Sequence, residues 1–440
     1  MRRRSPWATL VIAVGCMAWL ALAPQAWAAN TPPAVPAPAV LEPAAPDAGT
    51  APTAAGVRSA IGARVASDLS DGAALVIDPA SGAVLYSSAA TKAFIPASNA
   101  KLATAVAALK ILGPNTRIAT TVVATDRDIY LVGGGDPTLA GGGRAPGIPT
   151  LTQLADTTAK QVGTDTPLTL FYDDSFFTGP RLAPGWSPSF PTIGEVAPIT
   201  ALMVDQGRRA PTTKSRVKDP ARQAGQKFAE LLRAAGVKVT AVSAAKAPAD
   251  ATVIAKVESP PIDRIVQVML TESENTYAEM LAHLVGGAAV GKASFAGGGE
   301  ATRGVLAALD IDTGGYFLAD GSGLSRDDRL TATTLASILA TVVRGSHPEL
   351  SSIATGLPIA GLTGTLADRY VLPVAQAGRG FVHAKTGTLT GVVAESGIVL
   401  DASGRQLVFS FIATRVRSID AMRRTLDGMA STLATCGCTS

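Results

Sequence analysis

Histidine and cysteine are both scarce in this chain of 440 residues, which contains three of each. The histidines are His283, His347 and His383, too far apart in the sequence to suggest a zinc site, and none lies in an H-E-x-x-H string. No Gly-x-Ser-x-Gly string is present either, so a Ser-His-Asp triad on a nucleophile elbow is not predicted. The sequence therefore favours neither a zinc enzyme nor a histidine-based hydrolase.

Charged residues are sparse as well, since Asp, Glu, Lys and Arg together make up 16% of the chain. The formal net charge is +4. It falls to +1 if the three arginines at positions 2 to 4 are left out, because they belong to an N-terminal segment that is predicted to be removed. No basic surface for nucleic acid or an anionic membrane is therefore predicted. The glycine clusters at 133–135 and 141–143 are not followed by Gly-Lys-Ser/Thr, and no parallel β-α-β pattern is evident around them. Turns are predicted there rather than a phosphate-binding loop.

The first 56 residues are predicted to lie outside the folded core. Residues 1–28 combine a basic start, an apolar run and an Ala-Trp-Ala ending, the pattern of a cleaved secretory signal. An uncleaved membrane anchor is the alternative, because the apolar run is nearly long enough to span a bilayer. Residues 29–56 are rich in proline and alanine, which predicts a disordered tether. After cleavage only Cys436 and Cys438 remain, and free thiols, a strained disulfide and an intermolecular bridge are all open.

The string Ser98-Asn-Ala-Lys101 carries the first candidate site. It opens a run, as far as Leu112, in which apolar residues recur at helical spacing, so Ser98 is predicted at a helix N-terminus. Free N–H groups and the helix dipole there favour negative charge on a nearby oxygen. Lys101 lies one turn further on and is placed to accept the serine proton, provided burial or a neighbouring cation leaves its amine neutral. The alternative is a capping serine followed by a solvated surface lysine.

The string Ser273-Glu-Asn275 lies between an apolar stretch and a helical pattern. We therefore predict that Ser273 and Asn275 lie on a loop between two helices and face a cleft. Ser273 is suited to relay a proton toward a leaving amine, and the Asn275 amide to bond a substrate carbonyl and the Lys101 amine. The alternative is a second helix cap, with Glu274 or Glu279 supplying charge in the first turn.

The string Lys385-Thr-Gly387-Thr388 leads into two strand-like runs separated by a turn, the pattern of a hairpin. A strand carrying Lys385, Thr386 and Thr388 offers a cation and hydroxyls to a substrate carboxylate. Gly387 removes a side chain that would obstruct a ligand lying against the strand. Strand alternation puts His383 on the same side as Lys385, where it lines the cleft or, as we favour, has a partly buried structural role.

In this order the strings are the S-x-x-K, S-x-N and K-T-G set of penicillin-binding proteins and β-lactamases. Longer phrases agree, namely Leu131-Val-Gly-Gly-Gly-Asp136-Pro137, Tyr172-Asp-Asp174-Ser175-Phe176-Phe177-Thr-Gly179-Pro180 and Asp320-Gly-Ser-Gly-Leu-Ser325-Arg326. Over residues 57–435 the chain resembles the D-alanyl-D-alanine carboxypeptidase/endopeptidase family, the low-molecular-mass class C penicillin-binding proteins. One departure is mild, since the middle of S-x-N holds Glu274, where Asp is frequent.

The resemblance implies a role for each motif residue. Ser98 is the acylated nucleophile, Lys101 the base, Ser273 and Asn275 the second catalytic element, and Lys385 with Thr386 and Thr388 the carboxylate clamp. The backbone N–H groups of Ser98 and Thr388 form the oxyanion hole. Like-charge repulsion from Lys385 is expected to help keep Lys101 neutral. No cofactor or metal is implied.

The resemblance also implies an α+β fold with a β-lactamase/transpeptidase-like catalytic domain, in which helices flank an antiparallel five-stranded sheet. The strands predicted for this sheet are Ala73–Ile77, Ala83–Ser87, the strand of Lys385, Val392–Leu400 and Gln406–Ala413. Residues 57–115 and 258–440 are assigned to this domain, so the two ends of the chain share one sheet. Residues 116–257, with their own strand patterns and many turns, are predicted to form an inserted strand-rich accessory module beside the cleft.

The sequence therefore predicts an exported, periplasmic or extracytoplasmic, serine-type D-Ala-D-Ala carboxypeptidase. Its substrates would be peptidoglycan stem peptides and its inhibitors β-lactams, and D,D-endopeptidase activity is left open. One alternative is a serine β-lactamase or esterase on the same scaffold, although nothing after Ser273 resembles the Glu-bearing loop of class A β-lactamases. The other is a non-catalytic peptidoglycan-binding protein, which three intact motifs disfavour. Membrane association is expected only if the N-terminal segment is not cleaved.

Overall fold

A computed structural model describes residues 49–126, 128–143, 146–210 and 212–439. The predicted signal segment, residues 1–28, and most of the predicted tether lie outside the described residues. In the part of the chain that the structure describes, no helix is both long enough and apolar enough to cross a bilayer.

The described residues form both helices and strands, in an order that mixes single elements with runs of one kind. The helices are α1 (Ala54–Asp68), α2 (Ala100–Ile111), α3 (Leu151–Val162), α4 (Phe190–Ile193), α5 (Pro220–Ala234), α6 (Ile262–Thr271), α7 (Asn275–Val290), α8 (Phe295–Ala308), α9 (Ala332–Arg344), α10 (Ser351–Gly356) and α11 (Ile419–Thr435). The strands are β1 (Ala73–Ile77), β2 (Val84–Ser88), β3 (Ala93–Phe94), β4 (Ala119–Ala124), β5 (Asp128–Gly133), β6 (Leu168–Asp173), β7 (Val239–Ala244), β8 (Thr252–Glu258), β9 (Leu330–Thr331), β10 (Val382–Leu389), β11 (Val392–Leu400) and β12 (Gln406–Thr414). A short 3-10 turn, Ala97–Asn99, leads directly into α2.

A five-stranded sheet joins both ends of the chain, in the order β10-β11-β12-β1-β2. Each neighbouring pair is antiparallel, as the sequence predicted. Leu75 of β1 lies opposite Ser87 of β2 on one side and Ser410 of β12 on the other. All of β1 is buried, which explains why its sequence is a continuous apolar run.

Helices cover the two faces of this sheet with separate cores. On one face, Leu75 and Ile77 of β1 pack with apolar residues of α2, α6, α7 and α9. On the other face, Ala74 and Val76 pack with α1 and α11. Alternate residues of β1 enter different cores because successive side chains of a strand point to opposite faces. Helix α2, which follows Ser98, is buried from its first residue through Leu109, so its position is fixed on every side.

A second five-stranded sheet is built from residues that lie, along the chain, between the two parts of the first sheet. Its strands are arranged in the order β7-β6-β5-β4-β8. Leu131, Leu170 and Phe228 belong to its separate core. β5, β6 and β7 are parallel, with α3 and α5 as the connecting helices. The expectation that no parallel β-α-β pattern surrounds the glycines at 133–135 is therefore wrong. The β-α-β unit is hard to recognise in the sequence because a long connection separates β5 from α3. The missing Gly-Lys-Ser/Thr still argues against a phosphate loop.

The start of the fold differs from the predicted boundary of the tether. Helix α1 begins at Ala54, and the Thr53 hydroxyl caps it by accepting from Gly56 N at 3.0 Å. The backbone N–H of Thr53 donates to Cys438 O at 2.6 Å, so the chain is anchored here rather than disordered as far as residue 56. Cys436 and Cys438 are joined as a disulfide, one of the three states that the sequence left open.

Candidate active site

Ser98 lies in the short turn ahead of α2, and its hydroxyl faces Lys101. Lys101 Nζ lies 3.0 Å from Ser98 Oγ, one helical turn away. Ala97, just before the serine, has φ +47, a left-handed conformation that only the surrounding packing can hold. The N-cap of α2 makes no side-chain capping bond, and Lys101 is fully buried. The alternative of a capping serine followed by a solvated lysine is therefore wrong.

The amine of Lys101 has two further partners. They are Asn275 Oδ1 at 2.6 Å and the backbone oxygen of Ser322 at 2.8 Å. Both oxygens can only accept, so each takes an N–H of the amine. Burial lowers the pKa of Lys101 to about 8, although nearby carboxylates, Asp320 foremost, raise it. An appreciable fraction of this lysine is therefore neutral near that pH.

The second motif spans the turn from α6 into α7. Asn275 is the first residue of α7 rather than a loop residue, which corrects the prediction, while Ser273 lies in the turn with φ +58. Asn275 Nδ2 donates to Glu195 O at 2.9 Å, and this bond turns Oδ1 toward Lys101. Ser273 Oγ accepts from Lys385 Nζ at 2.9 Å, whereas the N-cap of α7 makes no side-chain bond. The interpretation of this motif as a second helix cap is therefore wrong.

Lys385 is fully buried in β10 and also donates to Thr386 O at 2.8 Å. Burial lowers its pKa well below the ordinary value, and the positive charges of Lys101 and Arg369 lower it further. The predicted repulsion between the two lysines therefore acts on the pKa of Lys385, while burial is the main cause at Lys101. Charging one ammonium group opposes charging the other.

Gly387 lets β10 pack closely against the turn before α2, a contact that the sequence pattern did not predict. A Cβ at this position would meet Asn99 Nδ2 at 2.9 Å and Ala97 Cβ at 3.0 Å. Gly323 approaches the same turn from another side, and with φ +82 its added Cβ would collide with Ala97 O. Two glycines thus set how closely the motifs approach one another.

Strand alternation directs Thr386 and Thr388 to the face of β10 opposite Lys385. Thr386 Oγ1 lies 2.8 Å from Thr365 Oγ1, and Arg423 Nη2 of α11 donates to Thr388 Oγ1 at 3.1 Å. Arg423 was not predicted, because it lies in the C-terminal helix and no local pattern links it to the motif. It places a guanidinium beside the Thr388 hydroxyl.

Glu279 is a second residue of the site that the sequence analysis missed. Its carboxylate accepts from Gly321 N and Ser322 N, both at 2.8 Å. Burial raises the pKa of Glu279 to about 8, and the charge of Asp320 acts in the same direction. The available signal was its i,i+4 spacing from Asn275, which puts both side chains on one face of α7. It was considered only as a capping charge.

The histidines lie outside this hydrogen-bond network. His283 Nδ1 donates to Glu279 O at 2.8 Å, and burial lowers its pKa to about 4. His383 is half-buried in β10, and burial lowers its pKa too, which agrees with the structural role that we favoured. Among the described residues, no group of three or more histidine, cysteine or acidic side chains is arranged to hold a metal ion.

Comparison with known proteins gives a family match over most of the chain. The model of the "D-Ala-D-Ala carboxypeptidase 3 (S13) family" matches residues 63–216 and 211–436. Carboxypeptidase Rv3627c of Mycobacterium tuberculosis is 38% identical over 408 residues, which cover 90% of this chain and 87% of that protein. Carboxypeptidase DacB of Mycolicibacterium smegmatis is 36% identical over 444 residues, which cover 98% of this chain and 95% of that protein.

A solved structure shares the fold. The crystal structure of penicillin binding protein 4 (dacB) from Haemophilus influenzae superposes with a TM-score of 0.70 at 21% identity, over 82% of this chain and 95% of that one. The predicted fold class is thereby confirmed. The family match and the relatives together show that this chain belongs to the D-Ala-D-Ala carboxypeptidase 3 (S13) family of serine-type carboxypeptidases, as the three motifs predicted.

Proposed function

We propose that this protein hydrolyses the terminal D-alanyl-D-alanine bond of peptidoglycan stem peptides through an acyl-enzyme at Ser98. One observation carries the assignment of residues. The buried amine of Lys101 lies 3.0 Å from Ser98 Oγ, and its other two partners are both carbonyl oxygens. Membership of the family supports the substrate class.

The hydrogen bonds of Lys101 support its role as the base. A neutral amine has two N–H groups and one lone pair, and Asn275 Oδ1 and Ser322 O accept the two N–H groups. The lone pair is then left for the Ser98 proton. As Oγ attacks the carbonyl of the penultimate D-alanine, the proton passes to Nζ. The N–H groups of Ser98 and Thr388 stabilise the oxyanion.

The Ser273–Lys385 pair is suited to protonate the leaving group. The C–N bond to the terminal D-alanine breaks, and Ser273 delivers a proton to the departing nitrogen while Lys385 replaces it. Because β10 is the edge strand of its sheet, a ligand lying along that edge can be reached by side chains from both faces of the strand. There Thr386 and Thr388, whose hydroxyl bonds Arg423, hold the terminal carboxylate. The proton that Lys101 took from Ser98 then returns through solvent to Lys385, which lost one to the leaving group, so that Lys101 is neutral again. Lys101 takes a proton from the attacking water and gives it to Ser98 Oγ as the ester C–O bond breaks.

A β-lactam enters the same pathway but stops partway. Its leaving group stays tethered after ring opening, so it obstructs the water that a departed D-alanine would admit. We expect acylation by penicillin to be far faster than release, with a long-lived inactive adduct. The secretory pattern of residues 1–28 supports an extracytoplasmic location, where both peptidoglycan and β-lactams are met. Cleavage of cross-linked peptides would follow the same chemistry with a larger leaving group.

Mass spectrometry after benzylpenicillin treatment tests the assignment of the nucleophile. The adduct is expected on the peptide that contains Ser98, and Ser98→Ala should abolish both the adduct and release of D-alanine. Ser346→Ala, at an exposed serine, is the matched control and should label normally. An adduct at Ser273 or at any other serine would overturn the assignment.

The same experiment separates the alternative functions. Rapid steady-state hydrolysis of penicillin, with recovery of activity within seconds, would favour a β-lactamase. A folded wild-type protein that forms no adduct and releases no D-alanine would favour a non-catalytic binding protein.

A further inference from the structure

The backbone oxygen of Ser322 is the least expected partner of Lys101, because a backbone carbonyl points wherever its peptide plane is turned. Two consecutive peptide planes lie in the turn from Gly321 to Gly323, and each uses both of its polar groups. In the first plane, Ser322 N–H donates to Glu279, and Gly321 C=O accepts from Thr104 Oγ1 at 2.6 Å. The turn is therefore fastened to α7 on one side and α2 on the other.

The second peptide plane carries the oxygen that meets the base. Gly323 N–H donates to Asp320 Oδ1 at 2.6 Å. In a trans peptide the N–H and C=O point in opposite directions. Fixing the N–H on Asp320 therefore aims the Ser322 oxygen the other way, where it accepts from Lys101 at 2.8 Å.

Two buried carboxylates thus hold two peptide planes, and the carbonyl oxygen of each plane accepts from a side chain of α2. Glu279 and Asp320 are 0% and 2% exposed. Glu279 also accepts from Gly321 N, so both of its oxygens are used by N–H donors. These bonds favour the ionised form, although burial outweighs them and raises the pKa of Glu279. A surface turn would satisfy such N–H groups with water, and burying two carboxylates there instead is costly.

We propose that Glu279 and Asp320 are positioning residues for Lys101, which hold the turn at Gly321 to Gly323 so that the Ser322 carbonyl permanently occupies one N–H of the amine. The proposal rests on Lys101 being the base at Ser98. Asn275 takes the other N–H and lies one turn before Glu279 on α7, so this helix sets both acceptors. With both N–H groups engaged, the lone pair faces the serine without reorganisation during the reaction.

Glu279→Gln tests this directly. A glutamine offers one acceptor oxygen to two N–H donors and presents its NH2 group to the other, so the turn loses an anchor. The second-order rate of acylation by a fluorescent penicillin would be measured between about pH 6 and about pH 10, per active site titrated at Ser98. We expect the plateau rate to fall roughly 10- to 100-fold. The acid limb of the pH profile, where the rate falls because Lys101 is protonated, should move to lower pH. In this variant Lys101 loses a hydrogen bond that favours its protonated form and, above the raised pKa of Glu279, a nearby negative charge as well.

Glu279→Asp keeps the charge and shortens the reach, so its plateau should fall while its acid limb returns toward the wild-type position. Asp401→Asn is the matched control, since Asp401 is also buried and accepts from two backbone N–H groups, Ser403 N and Arg405 N, at 2.8 Å. Both of these bonds end on Oδ1, which an asparagine keeps, so this variant should leave both the plateau and the limb unchanged.

An acid limb that stays in place in Glu279→Gln, with only the melting temperature lowered, would show that Glu279 is merely structural and would overturn the proposal. An equal shift of the limb in Glu279→Asp would also overturn it. If Glu279→Gln does not fold, Thr104→Val and Glu279→Asp decide, and wild-type plateau rates in both would contradict the proposal. Failure of the proposed function looks different, because wild-type protein would then give no adduct at Ser98.

Discussion

Lys101 is a cation-forming side chain in a place where a cation is unfavourable. It is completely buried, and its pKa is lowered to about 8 by that burial. In the proposed mechanism only its neutral form can act, because that form has a lone pair to accept the Ser98 proton. A group that cannot lose its proton should therefore fail at this position even though it keeps the charge.

We predict that Lys101→Arg will lower the rate of acylation by penicillin at least ~100-fold, because a guanidinium does not deprotonate in this pH range. Lys110→Arg is the matched control on the same helix, since Lys110 is partly exposed and pairs with Glu349 at 2.7 Å. It should acylate at the wild-type rate. Retention of more than about a tenth of the wild-type rate by Lys101→Arg would show that the lysine acts only through its charge.

The direction of the pH dependence follows from the same group. Lys101 is protonated and inactive below its pKa and neutral and active above it, so the rate of acylation should rise with pH through an acid limb near pH 8. Well below the limb, the rate should fall about tenfold for each pH unit. Stopped-flow acylation over a pH series, on protein shown to stay folded, measures this. A rate that is flat or falls as pH rises would contradict the assignment of Lys101 as the base.

At the scale of elements, the contact between β10 and the turn before α2 sets the width of the site. We predict that Gly387→Ala will lower the acylation rate roughly 10- to 100-fold, because the added Cβ must push β10 away from Asn99 and Ala97. Penicillin acylation rates, together with the melting temperature, measure the effect.

Gly304→Ala provides the contrast for this substitution. Gly304 lies exposed within α8, and a Cβ there meets nothing within 4 Å. The alanine should stabilise the protein by up to about 1 kcal/mol, from helix propensity alone, without changing the acylation rate. Normal acylation by Gly387→Ala would mean that β10 can shift without disturbing Ser98.

The motifs were predictable from sequence because each is a local pattern in a recognisable context. Ser98 and Lys101 share a helical turn, and the Lys385 strand carries a hairpin pattern, so both elements were predicted near their true bounds. The helical start of Asn275 was missed because asparagine is also common in turns and caps. The roles of Gly387 and Arg423 depend on contacts between distant segments, the 97–99 turn and α11, which no local pattern reveals.

At the scale of the whole molecule, the two ends of the chain are joined beside β1 and β12 by a buried ion pair. Arg405 donates to Asp78 through Nη2 at 2.8 Å and Nε at 3.2 Å, and their side chains are 8% and 3% exposed. Burial alone would raise the pKa of Asp78, but bonds from Arg405, Ser81 and Ala80 N outweigh it and hold the pKa below its ordinary value. This stabilisation is therefore present above the unfolded-state pKa and is lost as pH falls through the lower, folded-state value.

We predict that Asp78→Asn will destabilise the protein by about 3 kcal/mol at neutral pH, because it leaves a buried guanidinium without its counter-charge. The difference in melting temperature from wild type should shrink as pH falls from about 4 through the lower, folded-state pKa of Asp78, because the wild-type carboxylate becomes protonated over that range. Asp71→Asn is the control, since Asp71 and Arg415 form an ion pair between the residues just before β1 and just after β12. The Asp71 side chain is 53% exposed and that of Arg415 is 81% exposed. It should change stability by less than about 1 kcal/mol. Equal effects of the two substitutions would show that burial adds nothing to the Asp78 pair.

The strand order has a consequence for timing, because a chain is synthesised from its N-terminus. Ser98 and Lys101 emerge early, but β1 pairs with β12, and Asp78 waits for Arg405, 327 residues later. The sheet of β4 to β8 is contiguous in sequence and meets no such delay. Pairings of such long range form slowly, since the chain must close a large loop first. The active site therefore cannot be complete before β10 has been made, because β10 supplies its second lysine and its threonines.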